Sequence, residues 1–307
     1  MAARSKVNFQ FRNHVAPKYV QPLLLQLEYG EWYSSTELMQ LLRASGLDLK
    51  GKDIVQSNTN YWERIGLGEI LRERPKPNLF RLSRLGKEVA ALFSTNQPLF
   101  YDLMHFLFYS AWFRSQKPYH ASFWLYAQIC DRLWREAPAA MDSKALTGWL
   151  QAESRLAFPD FEPSFPTQSV RSVFPWLGAL TPPFLLPCSS RSNLCSERRS
   201  YCTPQLFHLA VDLLYAVEGL NYDTSLAMDD KHIETISRVC LLDSKRFWDM
   251  ASLTDMAIRE LEIRKGQWGT SLALTGPPRW IELPDFSQQE VKEDEEESED
   301  ETEEEDE

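Results

Sequence analysis

No run of about 20 apolar residues, the length needed to cross a bilayer as a helix, occurs in this chain of 307 residues. Its most hydrophobic stretch, PLFYDLMHFLFYSAWF (98–113), is shorter and carries Asp102 and His105, so a buried helix is expected and no membrane partner. The first 20 residues hold no apolar run either, and no export signal is expected. Cysteine is scarce, and its odd count of five without such a signal points to a reducing cytoplasm. The phosphate-binding glycine loop, the dinucleotide glycine fingerprint, HExxH and GxSxG are all missing. Only five histidines occur: His14, His105, His120, His208 and His232. Asp243-x-Lys245 with Asp229 or Asp230 is the nearest approach to a metal-dependent nuclease pattern, and a helix cap at Asp243 is its ordinary reading. A non-enzyme without a cofactor is therefore expected.

Charge is present but segregated. From Glu290 to Glu307 there are 14 acidic residues and one lysine, whereas residues 1–289 carry 32 basic and 30 acidic groups. A nearly neutral body thus bears an anionic tail, KEDEEESEDETEEEDE, which cannot bury surface and is expected to be disordered over 286–307. Residues 1–93 hold 14 basic against 9 acidic groups, an asymmetry that hints at an anionic partner for that end. With 43% hydrophobic and 12% aromatic residues, the rest should fold.

The first 95 residues read as one domain. A helix is expected over Tyr19–Tyr29, and a second in YSSTELMQLLRASG, capped at Ser34 or Ser35 and ended by Gly46. A third lies in KDIVQSNTNYWERIGLG, with Ile54, Tyr61 and Ile65 on one face. EILRERPKPNLFRLS alternates on both sides of Pro75–Asn78, as a hairpin does, and RLGKEVAALF closes the unit. Three helices and a basic hairpin predict a winged helix-turn-helix, whose third helix enters the major groove of DNA. Ser, Thr and Asn weaken a helix because they compete for its backbone hydrogen bonds. Their concentration in the third helix fits base-edge contacts. The expected nucleic-acid contacts are Lys52, Gln56, Ser57, Thr59, Asn60 and Arg64 on or beside that helix, with Arg72, Arg74, Lys76 and Arg81 on phosphates from the hairpin. The plainer alternatives are a solvated polar face, or a scaffold that binds protein.

Residues 96–220 should hold a helical region and a second winged helix. DSKALTGWL (142–150) echoes SSTELMQLL (34–42), SVRSVFPWLGAL (169–180) echoes the third helix, and PQLFHLAVDLLYAV (204–217) echoes PNLFRLSRLGKEV. Residues 181–203 would then form an enlarged wing, with Arg191, Arg198 and Arg199 as a second phosphate contact. Cys188, Cys195 and Cys202 recur every seven residues and His208 follows, a candidate zinc set without the tight Cys-x-x-Cys knuckle of known ribbons. Residues 221–285 read as further helices, with GPPRWIELPDF docking as an edge strand. The fold class is thus mainly α with small β-hairpins: tandem winged helices, C-terminal helices and an acidic tail.

FQFRNHVAPKYV, then Gly51, Lys52, Val55 and Ser57 leading to Tyr61 and Trp62, and later YDLMHFLFYSAWF…PYHASFWLYAQICDRLW, resemble a bacterial family whose domain has no assigned function. Its members are encoded in DNA-phosphorothioation and phage-defence islands, and this chain departs by one extra residue before Tyr61. The resemblance implies a DNA-binding accessory or regulatory component of a defence or DNA-modification system, with duplex DNA as partner. The other reading is a protein–protein adaptor in such a complex, its tail mimicking nucleic acid.

Overall fold

The computed structural model describes residues 6–9, 11–12, 15–46, 53–73, 76–115, 120–188, 193–267 and 269–283. The acidic tail, Lys52, Arg74 and Arg191 lie outside the described residues. The chain is mainly helical, with small three-stranded antiparallel sheets.

One order of elements occurs three times: helix, strand, helix, helix, then a hairpin whose last strand pairs with the first. In the first unit these are α1 (Pro17–Gln26), β2 (Tyr33–Ser34), α2 (Ser35–Ala44), α3 (Asp53–Arg64), β3 (Gly68–Leu71) and β4 (Leu79–Leu82), with sheet order β2-β4-β3. Ser34 starts α2 through a capping box: its Oγ accepts from the Glu37 amide and the Glu37 carboxylate accepts from the Ser34 amide at 2.7 Å. At Gly86, in α4 (Arg84–Thr95), a Cβ would lie 1.9 Å from the Leu67 carbonyl oxygen, so glycine is what lets α4 close over the hairpin base.

α5 (Gln97–Ser115) is buried on every side from Asp102 to Ala111, which is why its sequence lacks a polar face. The second unit follows: α6 (Ala121–Glu136), β5 (Ala139–Asp142), α7 (Ser143–Ala157), α8 (Thr167–Arg171) with α9 (Phe174–Ala179), β7 (Leu185–Leu186) and β8 (Asn193–Ser196), in sheet order β5-β8-β7. Between α7 and α8, β6 (Glu162–Ser164) pairs in parallel with β1 (Lys6–Asn8), tying the start of the chain to this unit. The Trp176 indole donates to the Val15 carbonyl at 2.8 Å in the same joint.

The region 221–285, expected to be helices with a docked edge strand, joins the helix before it in a third unit: α10 (Pro204–Glu218), β9 (Ser225–Ala227), α11 (Asp230–Val239), α12 (Phe247–Ala257), β10 (Leu261–Gly266) and β11 (Gly269–Leu274). Its sheet order is β10-β11-β9. PQLFHL is therefore not the counterpart of PNLFRL. The former opens α10 behind a Thr203 cap, and the latter lies in the hairpin as β4. Residues 276–283 do not form the expected edge strand; they run as an irregular strap with Ile281 buried and Arg84 paired to Glu282. One continuous core joins all three units, from Phe9 through Trp62, Phe108 and Trp176 to Phe247 and Leu274.

Candidate functional site

The surfaces most able to meet a partner are the third helices and hairpins of the units. In the first unit α3 is covered on more than one side. Trp62 packs on Phe80 of its own hairpin, while Tyr61 meets Phe11 and, from α6, Phe123 edge-on at centroid distances of 5.3 and 5.6 Å. Burial raises the Tyr61 pKa above its ordinary value. This second cover reaches the polar ridge. Ser57 and Thr59 are buried, as is Asn58 beside them. The Arg12 guanidinium donates to the Ser57 hydroxyl at 3.4 Å, and the Thr59 hydroxyl returns to the Val55 and Gln56 carbonyls. Ser57 and Thr59 thus satisfy the protein's own groups and are not available to DNA, correcting the expectation for both. Gln56 is exposed, and Asn60, Glu63 and Arg64 are half-buried, so the accessible face narrows to one stripe that includes a carboxylate.

The hairpin cations are also engaged. Arg72 makes a two-pronged pair with Glu63 at 2.6 and 2.7 Å, and Lys76 lies 3.2 Å from Glu73. Arg81 binds Glu69 at 2.7 Å while its guanidinium stacks over Trp32. Exposed pairs are worth only about 0.2–1 kcal/mol and can open. Even so, each carboxylate beside a cation repels a phosphate arriving at it.

Arg198 and Arg199, beyond the second hairpin, have other duties. Arg198 lies over the Trp134 ring and donates to the Trp134 and Arg135 carbonyls at 3.0 and 3.2 Å, closing the C-terminus of α6. Arg199 is fully enclosed, 2.7 Å from an equally enclosed Asp102 on α5. Its remaining donors reach the Thr181, Pro182 and Cys240 carbonyls, and the other Asp102 oxygen accepts from the Thr203 amide at 2.8 Å. It is a joint between α5, the second unit and the third unit, not a phosphate contact. A lone aspartate in an otherwise apolar helix was the signal that such a partner existed.

The zinc set does not assemble. Cys188 and Cys195 form a disulfide across the second hairpin, a pairing that the expectation of a reducing compartment did not include. Cys202 is buried, and His208 accepts from the Trp280 indole at 3.3 Å. Among the described residues no cluster of three or more His, Cys, Asp or Glu is arranged to hold a metal. Asp243 and Asp229 accept backbone N–H groups as caps. His105 is buried, its Nε2 donating to the Val239 carbonyl at 2.8 Å and its Nδ1 facing the Tyr126 hydroxyl at 3.0 Å; burial lowers its pKa to about 4 and keeps the ring neutral.

No family model, curated protein or solved structure matches the chain. The chemistry of the remaining surfaces has to speak for itself. Beside α8 and α9 an apolar groove of about 530 Å³ runs against the second hairpin, with Arg171 as its one cation among the described residues. On α12 the exposed face carries Trp248, Asp249, Asp255 and Met256. Neither resembles a phosphate-tracking surface, in which cations dominate.

Proposed function

We propose that this chain is a non-catalytic adaptor built from three winged helices in series, whose third helices and hairpins bind partner proteins. The observation that carries this reading is the state of the first unit: Ser57 and Thr59 are sealed, and Arg72, Lys76 and Arg81 each have a carboxylate partner. Support comes also from the apolar groove of the second unit, where charge is depleted, and from the exposed Trp248 and Met256 of the third, since both features belong to the composition of protein interfaces. The bacterial defence or DNA-modification setting is the one the family resemblance suggests, and the partners would be other subunits of that complex.

DNA binding is the competing proposal, favoured by the excess of positive charge in residues 1–93 and by the accessible Gln56, Asn60 and Arg64. Two measurements on the full chain separate them. The adaptor reading expects proteins encoded beside this chain to co-purify with it, and duplex affinity no tighter than the ~10⁻⁴–10⁻⁶ M typical of non-specific binding. Tight duplex binding with a steep loss on raising salt, unaccompanied by any protein partner, would reverse the choice.

A further inference from the structure

We propose that the groove between α9 and the β7–β8 hairpin seats the exposed face of α12 from a second copy of this chain. The groove is walled by Phe174, Pro175, Pro183, Leu185 and Leu194, and among the described residues no carboxylate lines it. Its one charge among the described residues, Arg171, is exposed and donates to the Ser143 hydroxyl at 3.2 Å; among those residues no acid pairs with it. A cation at the edge of an apolar trough selects an occupant with apolar side chains beside a carboxylate. Strand addition along β7 is a poor alternative, because this two-residue strand is followed by Pro187 and preceded by Pro182 and Pro183, which lack N–H groups. The occupant therefore enters through side chains, as a helix laid in a groove.

The third unit presents such a helix. Trp248, Ser252 and Met256 recur every four residues on α12, so they share a face, with Trp248 37% and Met256 78% exposed. Asp249 and Asp255 are exposed beside them. Asp249 is held by Arg246 at 3.2 Å, but Asp255 accepts only the Ile263 amide among the described residues, leaving its charge for Arg171. No described residue of the third unit lines the groove, so a molecule does not fill its own site in this arrangement. The two patches differ, and contact between copies is head-to-tail. It would grow into chains or close into a ring. This inference extends beyond the adaptor reading and does not require it.

Sedimentation velocity on the full chain tests the idea with three variants: Arg171→Asp in the groove, and Asp255→Arg or Met256→Asp on the helix. The wild type should exceed its monomer mass of 35.7 kDa as concentration rises towards ~100 µM, and each variant should need at least roughly tenfold more protein to associate. An equimolar mixture of Arg171→Asp and Asp255→Arg should associate again, because the intact helix of one chain still fits the intact groove of the other. That recovery also shows that neither variant has merely unfolded. A wild type that stays monomeric, single variants that associate as well as wild type, or a mixture that does not recover would each overturn the proposal. A monomeric chain that still captures a neighbouring gene product removes the second copy and leaves the adaptor reading intact. Self-association without any captured protein partner supports the contact and counts against the adaptor.

Discussion

Replacing Arg199 by Met removes a guanidinium that no solvent reaches. What it leaves behind sets the size of the effect. Asp102 keeps the Thr203 amide but loses its only cation within the described ion pairs, at 2.7 Å, and the Thr181, Pro182 and Cys240 carbonyls lose their donors. Breaking one side of a buried pair costs about 3–5 kcal/mol, because the surviving charge stays enclosed. For a chain of this size that corresponds to a fall in Tm of roughly 5–8 °C, followed by circular dichroism or calorimetry. Asp102→Leu combined with Arg199→Met should cost less than Arg199→Met alone, since no enclosed charge survives in the double variant. The carbonyls would remain unpaired, so full recovery is not expected. If Arg199→Met lowered stability by less than about 1 kcal/mol, or if the double variant were the worse one, the enclosed pair would not be the joint described here.

Acid should weaken the fold through His105. Its folded pKa of about 4 lies below the ordinary 6.5, so the unfolded chain binds the proton first. Stability is then present above pH 6.5 and is lost as pH falls towards 4, by up to roughly 3 kcal/mol, and His105→Gln should flatten this part of the urea-midpoint profile; an unchanged slope refutes it. Gly86→Ala should destabilise by about 1–3 kcal/mol, because the added methyl meets the rigid Leu67 carbonyl; a neutral result in a denaturation titration would refute that close approach. Trp62→Ala, at the centre of the first unit, should cost about 3–5 kcal/mol in the same assay, and a loss under ~1 kcal/mol would mean that the α3 cover is loose. Thiol titration of unreduced protein should find three reactive cysteines after unfolding and almost none before, since Cys130, Cys202 and Cys240 are buried and the other two are paired. Five thiols in the unfolded, unreduced chain would contradict that pairing.

Several elements were legible from local pattern. The cap expected at Ser34 or Ser35 is Ser34 at the start of α2, and the alternation around Pro75–Asn78 announced β3 and β4. The third unit was hidden because its first strand, β9, is only three residues long and α10, buried over most of its length, offers little amphipathic period to mark the boundary. The candidate site was legible only in part. A polar run in α3 is visible as a run, but whether it faces water depends on what packs above it. Here α6 and the segment around Phe11 do so.

The sequence alone determined a helical chain with basic hairpins, a central apolar helix that carries one aspartate, and an anionic tail, because periodicity, caps and composition act over a few residues. Only the tertiary structure decided which polar groups meet solvent. Ser57 and Thr59 are enclosed, Arg199 is drawn inside by Asp102, and Arg72, Lys76 and Arg81 have carboxylates beside them. The Arg199–Asp102 pair joins residues 97 positions apart, and the cover over α3 comes from a different unit. Long-range packing sets solvation, and solvation sets what a charged or hydrogen-bonding side chain is free to bind.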